Sequence, residues 1–548
     1  MELPRNRIRW LFDRQRGPRH RFIPRWLFLR ALAAIYFSAF FSLLFQIQGL
    51  IGPRGILPAG ETLQALVSVL GRRMAFWAAP SLFWISSTSH MLSLVVWAGL
   101  IASIAAFLNL WPRHSLLICF VCFLSFVSAA GAFSAYQSDG MLLEAGFLAL
   151  FFAPRGLLPG WGTQSPPSRA AYWLLLWEWF RIYFQSGVVK LASGDLGWRH
   201  LTAMDDYYQN SPLPTWLGYY ANHAPEWVSH ASAAATLVLE LGLVFMVFFP
   251  RRIRLICFCI VTPWEIAVIL TGNYAFLNYI VLSLGFLLLD DAVLARLIPT
   301  NWVPRVRDPR RTHLFAGVDV PILGHGITGE DVSSSPPLSS LKRAFQTTGF
   351  AFTALFLTWV SYATTAELLA MFSFDVLPSA PVRALEPFRI ANQYGLFAVM
   401  THGRYEIEFQ GSNDGQNWTP YIFRYKPQLL NEAPGIYAPY QPRFDWNLWF
   451  ASLGDWQQND IIPLTQQRLL QNSPAVLSLF RANPFAESPP RYVRSVLWQY
   501  WFTSLDDKRH TGNWWRRSQL GIYSPVLTLA PDGSLREVAP PDDLPPHD

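Results

Sequence analysis

Ionisable side chains inside long apolar segments are the residues of this 548-residue sequence that could do chemistry. Lys190 ends the apolar run 172–189, and a lysine that is removed from water has its charged form disfavoured. Such a lysine can act as a base near neutral pH. A lysine at the end of an apolar helix can equally extend its ammonium group to the membrane surface, and residue type alone favours this second interpretation.

Four carboxylates and one arginine share this apolar setting. Glu178 and Arg181 lie three residues apart on one helix face and could pair. Glu144, Glu240 and Glu265 are each costly in lipid, so each should face the bundle interior or a watery cavity. A network joining Glu144, Glu178 and Arg181 is possible, and whether these residues serve function or structure stays open.

A second group of candidates lies in the polar C-terminal part, in the segment 440–454. Arg443 and Asp445 are close enough in sequence to pair, and Trp446 and Trp449 surround them. Aromatic residues with polar groups beside them can form a recognition face for a client protein. The alternative is a buried, Trp-rich helix whose Arg–Asp pair fixes a loop, and the sequence leaves both open.

Motifs for metal or nucleotide chemistry are missing from the sequence. It contains no Walker loop, H-E-x-x-H motif or Ser/His/Asp arrangement. Cys119 and Cys122 have a metal-like spacing, but no His or acidic residue stands beside them. We therefore predict no metal site and no resident cofactor, and we interpret the cysteines as buried or lipid-facing thiols.

Composition indicates what must position these residues. Hydrophobic residues make up 52% of the chain and charged residues 14%, whereas soluble domains are roughly a quarter charged. Apolar runs long enough to span a bilayer predict a polytopic α-helical protein of about nine spans. The predicted spans are 26–47, 92–110, 115–133, 141–153, 172–189, 231–249, 253–270, 275–289 and 345–372.

Positive charge predicts the orientation, because cytoplasmic loops retain Lys and Arg. Basic residues precede the first span and recur in alternate loops, at Arg113, Arg155, Arg169, Arg251, Arg252, Arg254 and within 305–311. This pattern puts the N-terminus in the cytoplasm and the C-terminal part in the periplasm or the ER lumen. The Arg-rich, Lys-poor composition favours a bacterial inner membrane. The net charge of +7 then reports topology, and no nucleic-acid partner is predicted.

Five regions follow from these patterns: a basic cytoplasmic N-terminus (1–25), an eight-span membrane domain (26–290), a disordered cytoplasmic linker (291–344), a final transmembrane helix (345–372) and an exported β-rich domain (373–548). In the last region, alternation predicts strands over 405–410, 419–425, 491–503 and 524–529, with short helices over 464–470 and 475–481. We expect a β-sandwich that carries helical insertions.

Five blocks in order resemble the lipase maturation factor family. They include the first span and its tail (30–59), G-V-V-K-L-A-S-G-D, N-Q-Y-G-L-F-A-V-M-T-H-G-R-Y-E, Q-P-R-F-D-W-N-L-W-F-A-S-L-G and P-P-R-Y-V-R. Phe444 and Tyr440 are mild departures from the family pattern. The resemblance implies a membrane-anchored chaperone, rather than an enzyme, whose partners are membrane lipids and a secreted lipase or another exported client.

Two local resemblances add to this interpretation. The segment Y-F-Q-S-G-V-V-K-L is similar to one in vitamin K-dependent γ-carboxylases and their membrane relatives. That similarity implies an alternative, a membrane-embedded carboxylase- or epoxidase-like enzyme in which Lys190 is the base that deprotonates a lipid-soluble quinol. The turn G-S-N-D-G-Q-N-W-T resembles a discoidin-type sandwich turn and supports the β-sandwich expectation.

Overall fold

A computed structural model describes residues 11–12, 18, 20–298, 340–374 and 376–545, with side chains from residue 347 in the helix that begins at residue 340. Most of the predicted N-terminal segment 1–25 and of the predicted linker 291–344 lies outside these described residues. Both therefore stay predictions.

Helices dominate the described residues up to 298. In chain order they are α1 (Phe22–Ile51), α2 (Ala59–Ala78), α3 (Ser89–Phe107), α4 (Pro112–Ala129), α5 (Gln137–Phe152), α6 (Arg169–Ala192), α7 (Leu196–His200), α8 (Ala203–Asn210), α9 (Trp216–Asn222), α10 (Glu226–Leu241), α11 (Arg251–Thr271), α12 (Leu277–Gly285) and α13 (Asp291–Leu294). Turns of 3-10 helix continue α10 to Phe248 and α12 to Leu288. Helix α14 (Ser340–Ala370) follows the undescribed stretch.

Local chemistry sets where several of these helices begin. The Thr88 hydroxyl accepts a hydrogen bond from the backbone N–H of Met91 and so caps α3. Ser168 caps α6 in the same way, by accepting from the backbone N–H of Ala171. Pro112 occupies the first turn of α4, where the missing N–H costs no hydrogen bond.

Among the described residues, five helical stretches are long and apolar enough to cross a membrane: α1, α3, α4, α10 with its 3-10 turn, and α11. The expected nine spans are not confirmed by this measure. Of the other predicted spans, α5 has 16 residues and α12 with its turn covers only 277–288. Helix α6 carries Glu178, Arg181 and Lys190, and these charged residues lower its hydropathy.

Helix α2 occupies most of the segment 63–83, for which the sequence predicts an interfacial helix. Gly71 interrupts the helical conformation. Its φ is 73°, a positive value that glycine tolerates because it has no Cβ atom. Val69, Met74 and Trp77 are largely exposed on either side of this kink. Helix α2 thus leaves an apolar surface outside the protein core.

The C-terminal part contains the β-structure. Its helices are α15 (Ala380–Arg383), α16 (Arg443–Ala451), α17 (Ile461–Leu470), α18 (Pro474–Leu477) and α19 (Leu505–Thr511). Its strands are β1 (Arg404–Ser412), β2 (Thr419–Pro420), β3 (Tyr492–Phe502), β4 (Trp515–Leu529) and β5 (Leu535–Ala539). They form one antiparallel sheet in the order β2-β1-β3-β4-β5, in which Ile407 lies opposite Leu497.

The expected β-sandwich is not confirmed. In the described residues, helices rather than a second sheet cover one face of the single sheet, since α16 packs on β1 and α17 packs on β3 and β4. Ser452 donates to the carbonyl oxygen of Tyr405, and Gln466 donates to those of Val493 and Pro525, which ties these helices to the strands. Apolar strand residues are therefore buried against helices.

Before the sheet, the chain passes along the helical part. Residues 390–401, which we call the strap, lack regular secondary structure and lie against α5, α6 and α8. Buried apolar residues of the helices and of the sheet form one continuous cluster. The strap is the segment that brings the predicted intramembrane charges into contact with the C-terminal part.

Candidate functional site

The first buried charge cluster joins α5, α6 and the strap. The Arg181 guanidinium is fully buried, forms an ion pair with Glu144 and donates to the carbonyl oxygen of Asn392 at 2.6 Å. Glu144 also accepts from the Tyr394 hydroxyl at 2.9 Å and from the Asn392 amide at 3.1 Å. A carboxylate in this position holds the strap and the arginine together.

The predicted Glu178–Arg181 pair is wrong. Although the two residues share α6, the Arg181 side chain extends to Glu144 on α5 and also donates to the strap carbonyl oxygen of Asn392. Glu178 is fully buried beside this cluster and forms no ion pair with Arg181. Spacing within one helix could not reveal a better partner 37 residues away.

Lys190 is buried, with a side chain only 1% exposed, and does not extend to the surface. Its ammonium group donates to both carboxylate oxygens of Glu240, at 2.9 and 2.8 Å, and to the carbonyl oxygen of Leu396 at 3.0 Å. The ring of Trp198 lies 5.1 Å from the ammonium nitrogen. Each of the three ammonium hydrogens therefore has an acceptor.

A small cavity of about 70 Å³ adjoins this ion pair between α6, α10, α11, α12 and the strap. Glu265 lies on its wall, is buried, and accepts a hydrogen bond from the Tyr183 hydroxyl. The structure thus brings Lys190, Glu240 and Glu265 to one cavity. It places Glu144, Glu178 and Arg181 in a separate, closely packed cluster.

The predicted Arg443–Asp445 pair is also wrong. Arg443 lies at the start of α16 and donates to both carboxylate oxygens of Asp139 on α5, at 2.8 and 2.7 Å. Residues two apart on a helix point in different directions, so Asp445 cannot share that contact. Asp445 instead accepts from the backbone N–H groups of Tyr425 and Lys426, both at 3.1 Å, and burial raises its pKa to about 6.

The tryptophans of α16 face inward as well. Trp446 and Trp449 are 7% and 8% exposed, and the ring of Trp446 lies 6.0 Å from that of Tyr136. Phe450, by contrast, is 46% exposed. This burial fits the structural alternative for Arg443, Asp445, Trp446 and Trp449, because a client could not reach these side chains without local opening.

Further contacts between the two parts involve residues that the sequence analysis did not single out. The Gln46 side chain on α1 donates to the carbonyl oxygen of Gln441 and accepts from the N–H of Arg443. Asn273 at the end of α11 donates to Gly435 and accepts from the N–H of Tyr437. A glutamine inside an apolar helix was a signal, since polar side chains there need partners.

Membrane-length helices, in a helical part that contacts a β-sheet part through the buried Arg443–Asp139 ion pair, define a polytopic integral membrane protein. Its residues 23–296 match the family model of the lipase maturation factor transmembrane domain, and residues 390–525 match that of the lipase maturation factor C-terminal domain. The chain belongs to the lipase maturation factor family, as the sequence blocks predict.

Similar proteins cover nearly the whole chain. Lipase maturation factor 2 from Gallus gallus is 33% identical over 95% of this chain and 84% of its own length. The Homo sapiens lipase maturation factor 2 is 32% identical over 92% and 83%, and the Homo sapiens lipase maturation factor 1 is 29% identical over 92% and 88%. No solved structure matches the chain. These relatives are eukaryotic and lend no support to the predicted bacterial inner membrane.

Proposed function

We infer that the protein is a membrane-anchored maturation factor that assists the folding and assembly of a secreted lipase or another exported hydrolase. The observation that carries this proposal is the match of both parts of the chain to the two domains of lipase maturation factors. The buried contacts between those parts support it, because they hold the C-terminal domain as a fixed surface beside the membrane.

The charge pattern supports the orientation that this role requires. Arg113, Arg251 and Arg254 lie at or near starts of helices whose opposite ends approach the C-terminal domain, as at Asn273 after α11. If these basic ends are cytoplasmic, the C-terminal domain lies on the exported side, in the ER lumen or the periplasm according to the host. A client would then meet this domain as it emerges from the membrane.

Assisted folding needs exposed apolar contact rather than a reactive group. The C-terminal domain has such side chains in Val399, Leu429, Ile436 and Phe450, which are 66%, 42%, 46% and 46% exposed. We propose that a partly folded client contacts some of these residues. The buried rings of Trp446 and Trp449 pack beneath this surface and stabilise it.

The enzymatic alternative depends on Lys190 as a base for a lipid-soluble quinol. The cavity beside Lys190 is the observation that favours it. The hydrogen bonds of Lys190 oppose it, because a base must be neutral, whereas Glu240 and Leu396 accept all of its ammonium hydrogens. We therefore keep maturation as the proposed function and use Lys190 to separate the two.

The deciding experiment expresses the full chain in cells that lack their own lipase maturation factor 1 and secrete a lipase. We expect the specific activity of the secreted lipase to rise over an empty vector. The paired variant Lys190→Met with Glu240→Leu removes both charges at similar volume and should retain this effect. A folded, membrane-inserted chain that gives no rise contradicts the maturation proposal. Loss of the effect only in the folded paired variant favours the enzyme.

A further inference from the structure

The cavity bounded by Lys190 and Glu240 has an excess of one carboxylate. Its charged lining residues are Lys190, Glu240 and Glu265, and the lysine is already paired with both oxygens of Glu240. Glu265 is 5% exposed and has only the Tyr183 hydroxyl as a side-chain donor among the described residues. An isolated carboxylate in an apolar surrounding requires a counter-charge or a proton.

Two further features suggest a ligand with a positive group. Aromatic rings from four helices and the strap surround the cavity, namely Tyr183, Trp198, Tyr207, Trp264 and Phe397. Aromatic faces together with a carboxylate are the chemistry that recognises ammonium groups. The side-chain nitrogen of Asn278 also lines the cavity, is buried, and has no hydrogen-bond partner among the described residues, so it can donate to a ligand oxygen.

The position of the cavity indicates where such a ligand comes from. Helix α11 buries only Cys257, Val261 and Glu265, so most of its surface faces outward to the bilayer. Helices α10 and α11 pack mainly through the intervening 3-10 turn, and the partly exposed Trp264 and Val268 lie at the rim. The cavity thus lies directly behind the outward-facing surface of α11, beside Trp264 and Val268.

We propose that this cavity binds the primary ammonium headgroup of a membrane lipid of the phosphatidylethanolamine class. Glu265 is the counter-ion of the ammonium group, and the Asn278 amide donates to an oxygen of the headgroup phosphate. Lys190 keeps Glu240 neutralised, which leaves Glu265 as the carboxylate that binds the ligand. This site requires no client and is therefore independent of the proposed maturation function.

Lipid retention tests the proposal directly. The full chain is reconstituted into nanodiscs of phosphatidylcholine with phosphatidylethanolamine or with phosphatidylglycerol, re-extracted in detergent, and examined for retained lipid by native mass spectrometry. We expect retention of phosphatidylethanolamine, and the loss of a charge-assisted contact in Glu265→Gln should lower it about tenfold. Glu178→Gln is the matched control, because Glu178 is a buried carboxylate outside the cavity, and it should leave retention unchanged.

Two additional arms keep the outcome decisive. Because Glu265→Gln removes an unpaired buried charge, the melting temperature of this variant in lipid-free detergent should not fall below that of the wild type. Asn278→Leu is a second variant, and it should also lose the lipid. Added phosphatidylethanolamine should raise the melting temperature of the lipid-free protein, and free ethanolamine should not. Stabilisation by free ethanolamine alone would overturn the lipid source. Equal retention of phosphatidylethanolamine and phosphatidylglycerol, or by wild type and Glu265→Gln, would overturn the site, as would a bound quinone.

Discussion

Two of the contacts between the C-terminal domain and the helical part differ in their chemistry. In the inner contact, Arg443 pairs with Asp139, and the Arg181–Glu144 pair of the helical part holds the strap at Asn392 and Tyr394. All four charged side chains are at most 1% exposed. In the outer contact, Lys508 on α19 donates to the Tyr220 hydroxyl on α9 at 2.8 Å, near the protein surface. The inner contact contains desolvated charges, whereas the Lys508–Tyr220 hydrogen bond joins solvent-accessible groups.

This difference indicates which contact fixes the C-terminal domain against the helices and which contact contributes little to that arrangement. A buried charge that loses its partner is strongly unfavourable, so the inner contact admits a single arrangement of strap and helices. An exposed contact can exchange its partner for water at little cost. The inner contact should therefore dominate stability, and the outer contact should contribute little.

The largest effect is expected at Arg443. Arg443→Ala leaves Asp139 buried without a partner, which should lower the free energy of unfolding by about 3–5 kcal/mol. Chemical unfolding in detergent micelles measures this change. Arg481→Ala, at the half-exposed pair with Glu432, is the matched control and should cost about 0–1 kcal/mol. Similar losses in both variants would remove the distinction between buried and exposed pairs.

The next prediction concerns Asp445, a buried carboxylate near the inner contact that forms no ion pair with Arg443. Burial raises its pKa from 3.8 to about 6, so the folded state binds the proton more tightly than the unfolded state. Stability should therefore fall as pH rises from about 4 to about 6, by roughly 3 kcal/mol. Unfolding curves across this pH range measure the slope. Asp445→Asn should remove the contribution of Asp445 to the slope of stability against pH. An unchanged slope in this variant would contradict a raised pKa of Asp445.

Tyr394 tests a single hydrogen bond of the strap. Tyr394→Phe removes the donor to Glu144, and a hydrogen bond to a charged group contributes about 1.5–3 kcal/mol. Tyr421→Phe is the control, because the buried Tyr421 hydroxyl has no hydrogen-bond partner among the described residues. Thermal unfolding should show a loss for the first variant and almost none for the second. The reverse order would argue against the strap as a stabilising segment.

The smallest effect is expected at the outer contact. The Lys508 ammonium nitrogen lies 3.2 Å from the centroid of the Trp514 ring, and surface cation–π contacts contribute about 0.5–1 kcal/mol. Lys508→Met should lower stability by no more than that, as measured by the same unfolding assay. A loss of stability as large as that of Arg443→Ala would mean that the outer contact, and not the inner one, contributes most to holding the two parts together.

The sequence predicts local elements well and their partners poorly. Alternating residues correctly predict β1, β3 and part of β4, and apolar runs correctly predict the long helices. Neither pattern contains the information that Arg181 reaches α5 or that Arg443 reaches Asp139, because those partners are far apart in the chain. In the sequence the strap looks like part of a separate domain, because its hydrogen bonds to the helices become visible only in three dimensions.

The central claim is that the strap stays fixed in the helical part, so that both parts act as one unit. A Cβ atom added to Gly395 would lie 3.7 Å from the Cβ of Val189 on α6, which matches the roughly 3.5–4.5 Å of disulfide-bonded cysteines. The test introduces Val189→Cys and Gly395→Cys, with the exposed Cys259 replaced by serine. We predict that the disulfide forms readily and that oxidised and reduced protein support lipase secretion equally. Failure to cross-link, or activity that returns only on reduction, would contradict a fixed strap.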